Sequence, residues 1–323
     1  MTDITIQTKD KLAGYFRLEV RDTITGEVKK DTGWFRNLIV NEGLDFIGAP
    51  PSTIYYNNIV YTHCSVGTGN TAPAYTDTQL SSFLAVYPTV FSSPVQAFST
   101  SSYVPGPPAY WSGIKTFTFD IGAVVGNIAE VGVGVMTSTD TQPQLFSRSL
   151  IIVGGVPGTI SLTSTDALTV FYELRIYLDL TDNSYSFNIE TDTYSGIYRR
   201  SLVTTVPKFY NTPQFNAAAS GNKGAITWLY NGTISSVTGK PSGTELGGAG
   251  ASTNTYASYI PGSSYINVTS GYSVSQGNLT GGITAMRLES SHGSYQFSVS
   301  PAIPKTSSFS FTLYWQVSWA RYP

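Results

Sequence analysis

The chain has 323 residues, a net charge of −2 and a single cysteine, Cys64. These features argue against a basic nucleic-acid surface and exclude an intrachain disulfide framework. With only His63 and His292, they also argue against a histidine-rich metal site. Charged residues make up 12%, against roughly 25% in an ordinary domain, while 22 Tyr, 16 Phe and 5 Trp mark a chain that folds.

The length suggests two domains, each large enough for its own core. The first residues, Met1 to Asp10, lack the apolar core of a signal peptide, and no run approaches the roughly 20 apolar residues of a membrane span. The expectation is a protein made in a cytosol, with no membrane insertion, no nucleic-acid partner, no metal and no cofactor.

Gly14 to Arg21 alternates as a strand does, with Phe16, Leu18 and Val20 on one side and Tyr15, Arg17, Glu19 and Arg21 on the other. Thr25-Gly26 makes a turn, and Val28 to Phe35 returns as the second arm of a hairpin. Asn41 is placed to cap a short helix over Glu42 to Ile47, ended by Gly48-Ala-Pro-Pro51. His63 to Leu80 reads as a strand end followed by a Gly/Pro loop. Residues 88–113 look loop-like, and Lys115 to Ile121 is a strand with Phe117, Phe119 and Ile121 on one face.

The clearest pattern lies between Asn127 and Leu180. Asn127 to Val135, Leu145 to Val153 and Thr159 to Leu162 read as strands, and Leu168 to Leu180 as a long one. In the last, the even positions Leu168, Val170, Tyr172, Leu174, Ile176, Leu178 and Leu180 are apolar. The odd ones (Thr169, Phe171, Glu173, Arg175, Tyr177 and Asp179) are mostly polar. That is a half-buried antiparallel strand.

Beyond a boundary near residue 182, Tyr185 to Glu190 and Arg199 to Val206 are strand-like. Gly239 to Ser275 is rich in Gly, Ser, Thr, Asn and Tyr, and suggests long surface loops with short strands. Its tyrosines Tyr256, Tyr259, Tyr265 and Tyr272, with Trp228 before them, fit either a decorated loop or a shallow recognition face, because Tyr offers contact area at low entropic cost. Near the end, Ile283 to Leu288, Tyr295 to Ser300 and the alternating Phe309 to Arg321 repeat the plan of strand, strand, turn and long strand. The fold class is therefore all-β, with two antiparallel β-sandwich domains over residues 1–182 and 183–323. They read either as a diverged duplication or as two unrelated sandwiches of similar plan, with little helix.

Three stretches in series carry a resemblance. Trp34-Phe-Arg-Asn-Leu-Ile-Val-Asn-Glu-Gly-Leu-Asp-Phe-Ile47 is the first. Cys64-Ser-Val-Gly-Thr-Gly, leading through Thr76-Asp77-Thr78 to Leu80, is the second. Ile128-Ala-Glu-Val-Gly132 with Leu145-Phe-Ser-Arg-Ser-Leu150 is the third. Together they resemble virion structural proteins of tailed bacteriophages over about residues 14–180.

The resemblance implies a tail, collar or fibre protein in the virion, without chemistry of its own, involved in host adsorption. It would be a symmetric homo-oligomer, in fibres most often a trimer, with other virion proteins as partners. The N-terminal half would serve attachment to the particle and the C-terminal half outward presentation. Within the third stretch, Glu130 and Arg148 on facing strands are placed to form a structural ion pair that fixes register.

Two other readings remain. A receptor-binding module that grips host-surface glycan would gather aromatics in an exposed groove, around Tyr256 to Tyr272 or near Trp228. A polysaccharide depolymerase would need two carboxylates flanking the bond, drawn from Asp120, Glu130, Asp140, Asp166, Glu173, Asp179, Asp182 and Glu190. No Gly-x-Ser-x-Gly with a following helix occurs, and Gly67-Thr-Gly-Asn-Thr-Ala lacks the lysine of a phosphate loop. His63 and Cys64, adjacent on a strand, point to opposite faces. Asn231-Gly232 reads as a hairpin turn. No catalytic residue is assigned.

Overall fold

The computed structural model describes residues 5–49, 61–89, 100–137, 139–205, 225–247 and 253–323. The breaker expected at Pro50 and Pro51, residues 90–99, Val206 and residues 248–252 lie outside these. Among the described residues the regular structure is almost all strand, with a single helix, Asn41–Gly48. Three large sheets of nine, five and six strands carry the fold, with two small two-stranded ribbons beside them.

The nine-stranded sheet is built on the first strand, Thr5–Asp22. From Lys11 to Asp22 it pairs antiparallel with Asp166–Tyr177, in a register that sets Leu12 opposite Ile176, Phe16 opposite Tyr172 and Leu18 opposite Val170. From Thr5 to Leu12 its other edge runs parallel to the closing strand, Phe311–Arg321. The two long alternating strands of the sequence thus lie on either side of one central strand. Tyr110–Thr118 and Thr100–Val104 extend the sheet at one end, Tyr265–Tyr272 and Thr253–Tyr256 at the other.

Period two decides what is inside. Leu168, Val170, Tyr172, Leu174 and Ile176 are buried on the same face as Leu12, Phe16, Leu18 and Val20, and in register with them. Leu313, Trp315, Val317 and Trp319 continue that face across the parallel pair. Each fully buried Val, Leu or Ile on it contributes about 1.5–3 kcal/mol.

Both smaller sheets cover this one face. The five-stranded sheet follows the order Leu38–Ile39, Gln144–Leu150, Glu130–Val135, His63–Gly67, Phe83–Tyr87. It packs through Phe146, Tyr61 and Tyr172, whose rings lie 5.0 and 5.5 Å from Tyr61. The six-stranded sheet follows the order Asn183–Ile189, Asp192–Ser201, Gly293–Ile303, Ile283–Ser290, Ala225–Tyr230, Glu245–Gly247. It packs through Phe297 on Trp315, 5.1 Å apart, and through Thr227 bonded to Ser270. The boundary expected near residue 182 falls just before Asn183–Ile189, and the nine-stranded layer runs across it.

Several local expectations are corrected. Asn41 is not the helix cap. The cap position is Val40, with no side-chain bond, and the Asn41 amide oxygen instead accepts from Arg321 at 2.7 Å. The loop read over 88–113 contains Thr100–Val104 and the start of Tyr110–Thr118. Ile121 is 63% exposed because its strand has already ended at Thr118. Asn231-Gly232 is not a two-residue hairpin turn. It opens a longer connection between paired Tyr230 and Glu245, in which Asn231 accepts from the Thr244 amide.

The helix lies close to the five-stranded sheet, burying Leu44, Phe46 and Ile47. Gly43 permits the approach: a Cβ there would stand 2.0 Å from the Phe146 carbonyl oxygen. Trp319 of the closing strand donates its indole N–H to the Leu44 carbonyl at 2.9 Å, so the helix touches both halves of the chain.

Candidate functional site

Glu130–Val135 is buried at every position, although strands alternate. One face, Val131, Val133 and Val135, belongs to the core. The other is roofed by the connection from Gly67 to Ser82, with Leu80 packed on Val40 and Leu145. Gly132 stands opposite Arg148 in the register and Glu130 opposite Leu150, so the Glu130 and Arg148 side chains share that roofed face.

Glu130 accepts from Arg148 Nη2 at 2.8 Å, with both side chains buried. Its carboxylate also accepts from the amides of Gly69, Ser81 and Ser82 at 3.2, 3.1 and 2.7 Å, and from the Ser81 hydroxyl at 3.0 Å. Arg148 completes its fork on Asp77 at 2.7 Å and on the Thr71 carbonyl at 2.9 Å. Asp77 in turn accepts from the Ala74 amide at 2.7 Å.

Gly69 is needed here, since a Cβ would lie 2.4 Å from Glu130 Oε1. The cost of burying these charges is offset by the bonds that the Glu130 carboxylate and the two terminal nitrogens of Arg148 make, while Arg148 Nε is left without a partner. The sequence places Glu130 and Arg148 together, but it does not reveal that Asp77 joins them from a loop.

A second buried cluster joins the halves. Asp10 of the first strand is bonded to Arg200, accepts from the Tyr295 hydroxyl at 2.9 Å and lies 3.2 Å from His292 Nδ1. Arg200 also sits 4.2 Å from the Tyr295 ring centre. Burial pushes the Asp10 carboxyl up, but Arg200, His292 and the Tyr295 hydroxyl outweigh it and hold it below the ordinary range. Burial drives the Tyr295 hydroxyl well up. The isolated Asp10, Arg200 and His292 give no hint of this in sequence.

The five aromatics proposed as a recognition face do not assemble into one. Tyr272 is 1% exposed and donates to the Thr227 carbonyl, so it is a core residue and no ligand reaches it. The composition of a recognition loop and that of a packed strand are alike here, and strand Tyr265–Tyr272 turned Tyr272 inward. Tyr256 packs against the core, while Tyr265, at the other parity of its strand, faces the opposite side of the sheet. Tyr259 stacks on Trp319 and donates to Asp45 at 2.5 Å. Trp228 lies on the six-stranded sheet, half-buried, with the Arg287 guanidinium 5.0 Å from its ring centre.

The carboxylates weighed for hydrolysis are spread over the molecule. Glu173 accepts from Ser112 and Arg175, and Asp182 pairs with Arg199. Asp140 takes the Thr137 amide. Asp166 is held below its ordinary range by Lys29 and by the Thr163 amide. For Asp179, burial is outweighed by hydrogen bonds from Thr181 and Asn183, and the carboxyl is lowered. A general acid needs the opposite shift. Glu42, in the first turn of the helix, is pushed up by burial and by Asp45 and Asp140, and sequence reasoning passed over it. His63 is buried, with Nδ1 2.8 Å from Thr62 Oγ1. Burial drives the Cys64 thiol well up, away from a nucleophilic thiolate. Among the described residues, no cluster of three His, Cys, Asp or Glu is placed to hold a metal ion, and no helix is long and apolar enough to cross a membrane.

Among the described residues, two surface hollows stand out. One, of about 540 Å³, is lined by Arg36, Tyr75, Arg321 and the last residues. Both guanidiniums are engaged there, Arg36 with the Tyr322 and Pro323 carbonyls and Arg321 with the Ile39 carbonyl and Asn41. The other, of about 440 Å³, lies between the turn at Ile189–Asp192 and the stretch from Ile303 to Tyr314. Comparison with known proteins found no matching family model, no matching curated protein and no matching solved structure.

Proposed function

We propose that the chain is a non-enzymatic structural component of a tailed-phage particle, part of its tail, collar or fibre apparatus, and that it acts in host adsorption. One observation carries this reading. The second and third stretches that resemble virion proteins meet at Arg148: Asp77 of Thr76-Asp-Thr78, Glu130 of Ile-Ala-Glu-Val-Gly and the Gly69 loop all converge there. The first stretch joins them by setting the Gly43 turn of its helix against the Phe146 carbonyl, two residues before Arg148. The residues that carry the resemblance are thus spent on holding a loop and a helix against a sheet, which is the work of a rigid part.

The nine-stranded layer supports the same reading, because strands from both halves of the chain are built into one sheet. In this reading the chain is made in the host cytoplasm, assembles as a homo-oligomer and contacts other virion proteins. The glycan-gripping alternative drew on Tyr256 to Tyr272, and the burial of Tyr272 weighs against that location. The test is to purify particles from infected cells, quantify this chain by mass spectrometry and label it with antibody-gold. A fixed copy number per particle and label at the tail are expected. Absence from washed particles overturns the proposal.

A further inference from the structure

The 540 Å³ hollow opens where two strands share one edge of Thr5–Asp22. The closing strand Phe311–Arg321 pairs along that edge as far as Leu12, and Phe35–Arg36 takes it up at Tyr15. Ala13 lies in the gap and lines the hollow, and two arginines strap the gap from opposite sides. Arg36 donates to the Tyr322 and Pro323 carbonyls. Arg321 donates back to two neutral acceptors, through Nε to the Ile39 carbonyl and through Nη2 to Asn41 Oδ1 at 2.7 Å. Among the described residues its Nη1 makes no bond and no carboxylate meets its guanidinium. That guanidinium stands 4.3 Å from the ring centre of Tyr75, which is 55% exposed. Burial lowers the Arg321 pKa, with only Tyr75 acting against it, so a partly desolvated charge is left unmatched.

A half-buried cation without a counter-charge gains from an anion, and a planar guanidinium suits a carboxylate. One unmatched charge fits a carboxylate better than a phosphate monoester, whose charge is about −2. The rest of the lining suits hydroxyls and a ring. Beyond the bond from Arg36, the Tyr322 and Pro323 carbonyl oxygens each keep a lone pair for a hydroxyl. Tyr75 offers a flat apolar face. The volume lies within the roughly 300–1,000 Å³ of small-molecule sites. We propose that this hollow binds a sugar acid of the hexuronate class, with its carboxylate on Arg321 and its ring against Tyr75. The inference stands on the hollow alone and not on the particle reading, which the labelling of particles tests separately.

The probe is methyl β-glucuronide, titrated calorimetrically into the full chain. Beside it run methyl β-glucoside, which lacks the charge, and N-acetylglutamate methylamide, which lacks the ring. The glucuronide is expected to bind at least about tenfold more tightly than either, and more weakly as salt rises. Arg321→Gln and, separately, Tyr75→Ala should each weaken it by about tenfold. Tyr75→Ala keeps the backbone carbonyl that accepts from the Asn41 amide, so it serves if Arg321→Gln fails to fold. Free glucuronate distinguishes the sources: tighter binding of the free acid marks a metabolite, tighter binding of the glycoside marks a glycan end, and both uphold the site. Equal binding of the glucoside, equal binding of the glutamate derivative, or full affinity in either folded variant would overturn the proposal. So would the absence of binding by both glucuronates.

Discussion

Asp10 and Arg200, 190 positions apart in sequence and both fully buried, form an ion pair that ties the first strand to the six-stranded sheet. Removing Arg200 leaves the Asp10 carboxylate buried without its guanidinium, beside only the Tyr295 hydroxyl and His292. Arg200→Met is therefore expected to cost about 3–5 kcal/mol in urea denaturation. Because the pair joins the nine-stranded sheet to the six-stranded one, fluorescence from Trp315 on the first and Trp228 on the second should report the loss together. The pH dependence has a definite sign. Asp10 titrates lower in the folded chain than its ordinary 3.8. Its stabilisation is thus complete above that value and disappears as pH falls through the lower folded value. Asp10→Asn should flatten the acid limb of stability against pH, and an unchanged limb would refute the assignment.

Glu130 organises its loop more than its sheet. Glu130→Gln turns one acceptor oxygen into a donor facing the amides that now bond to it. The expected cost is about 3–5 kcal/mol, since Arg148 loses its buried counter-charge. Hydrogen exchange should separate cause from consequence: the amides of Gly69, Ser81 and Ser82 exchange faster, while those of Asp166–Tyr177 stay protected under native conditions. Equal acceleration in both places would mean that the pair supports the whole sandwich instead.

The strands were legible where the alternation of one strand depends on its own sequence. Leu168 to Ile176 show this: every even residue is apolar and every one is buried. What local pattern does not carry is which strands pair across the chain. The parallel ladder from Thr5–Leu12 to Tyr314–Arg321 closes the fold, yet neither stretch contains a signal naming the other. Glu130 with Arg148 could be foreseen because their strands are neighbours in sequence, whereas Asp10 with Arg200 could not. The Tyr-rich stretch misled for a different reason: Tyr serves equally as an exposed contact residue and as a packed one, and Tyr272 is the second kind.

Lys115 lies on the apolar face of its strand, in line with Phe117, and is fully buried. Its ammonium donates to the Tyr61 carbonyl at 3.2 Å and stands 4.8 Å from the Tyr61 ring centre. Burial lowers its pKa well below the ordinary 10.5. Between the lowered value and 10.5 the unfolded chain binds more protons than the folded one, so stability rises with pH across that window. Thermal unfolding should show this rise up to about pH 10, the point at which unfolded tyrosines begin to ionise. Lys115→Met should abolish the rise and stabilise the protein at pH 7 by about 1–4 kcal/mol. A destabilised Lys115→Met would show that the ammonium's bonds outweigh its burial.

Tyr259 and Asp45 join the Tyr-rich stretch to the only described helix. The phenol donates to Asp45 Oδ1 at 2.5 Å, and the Gly262 amide reaches the same oxygen at 2.8 Å. Burial, then Asp45, pushes the Tyr259 phenol up to about 12. A hydrogen bond to a charged acceptor contributes about 1.5–3 kcal/mol. Tyr259→Phe should cost that much in denaturant unfolding, and so should Asp45→Asn. The double variant should cost clearly less than the two together, because both single changes break the same bond. Additive effects would show that Asp45 is held by Gly262 and the helix alone. Above pH 10 the unfolded phenol ionises first, so the wild type should lose stability toward pH 12 more steeply than Tyr259→Phe. Parallel alkaline limbs would place the proton elsewhere.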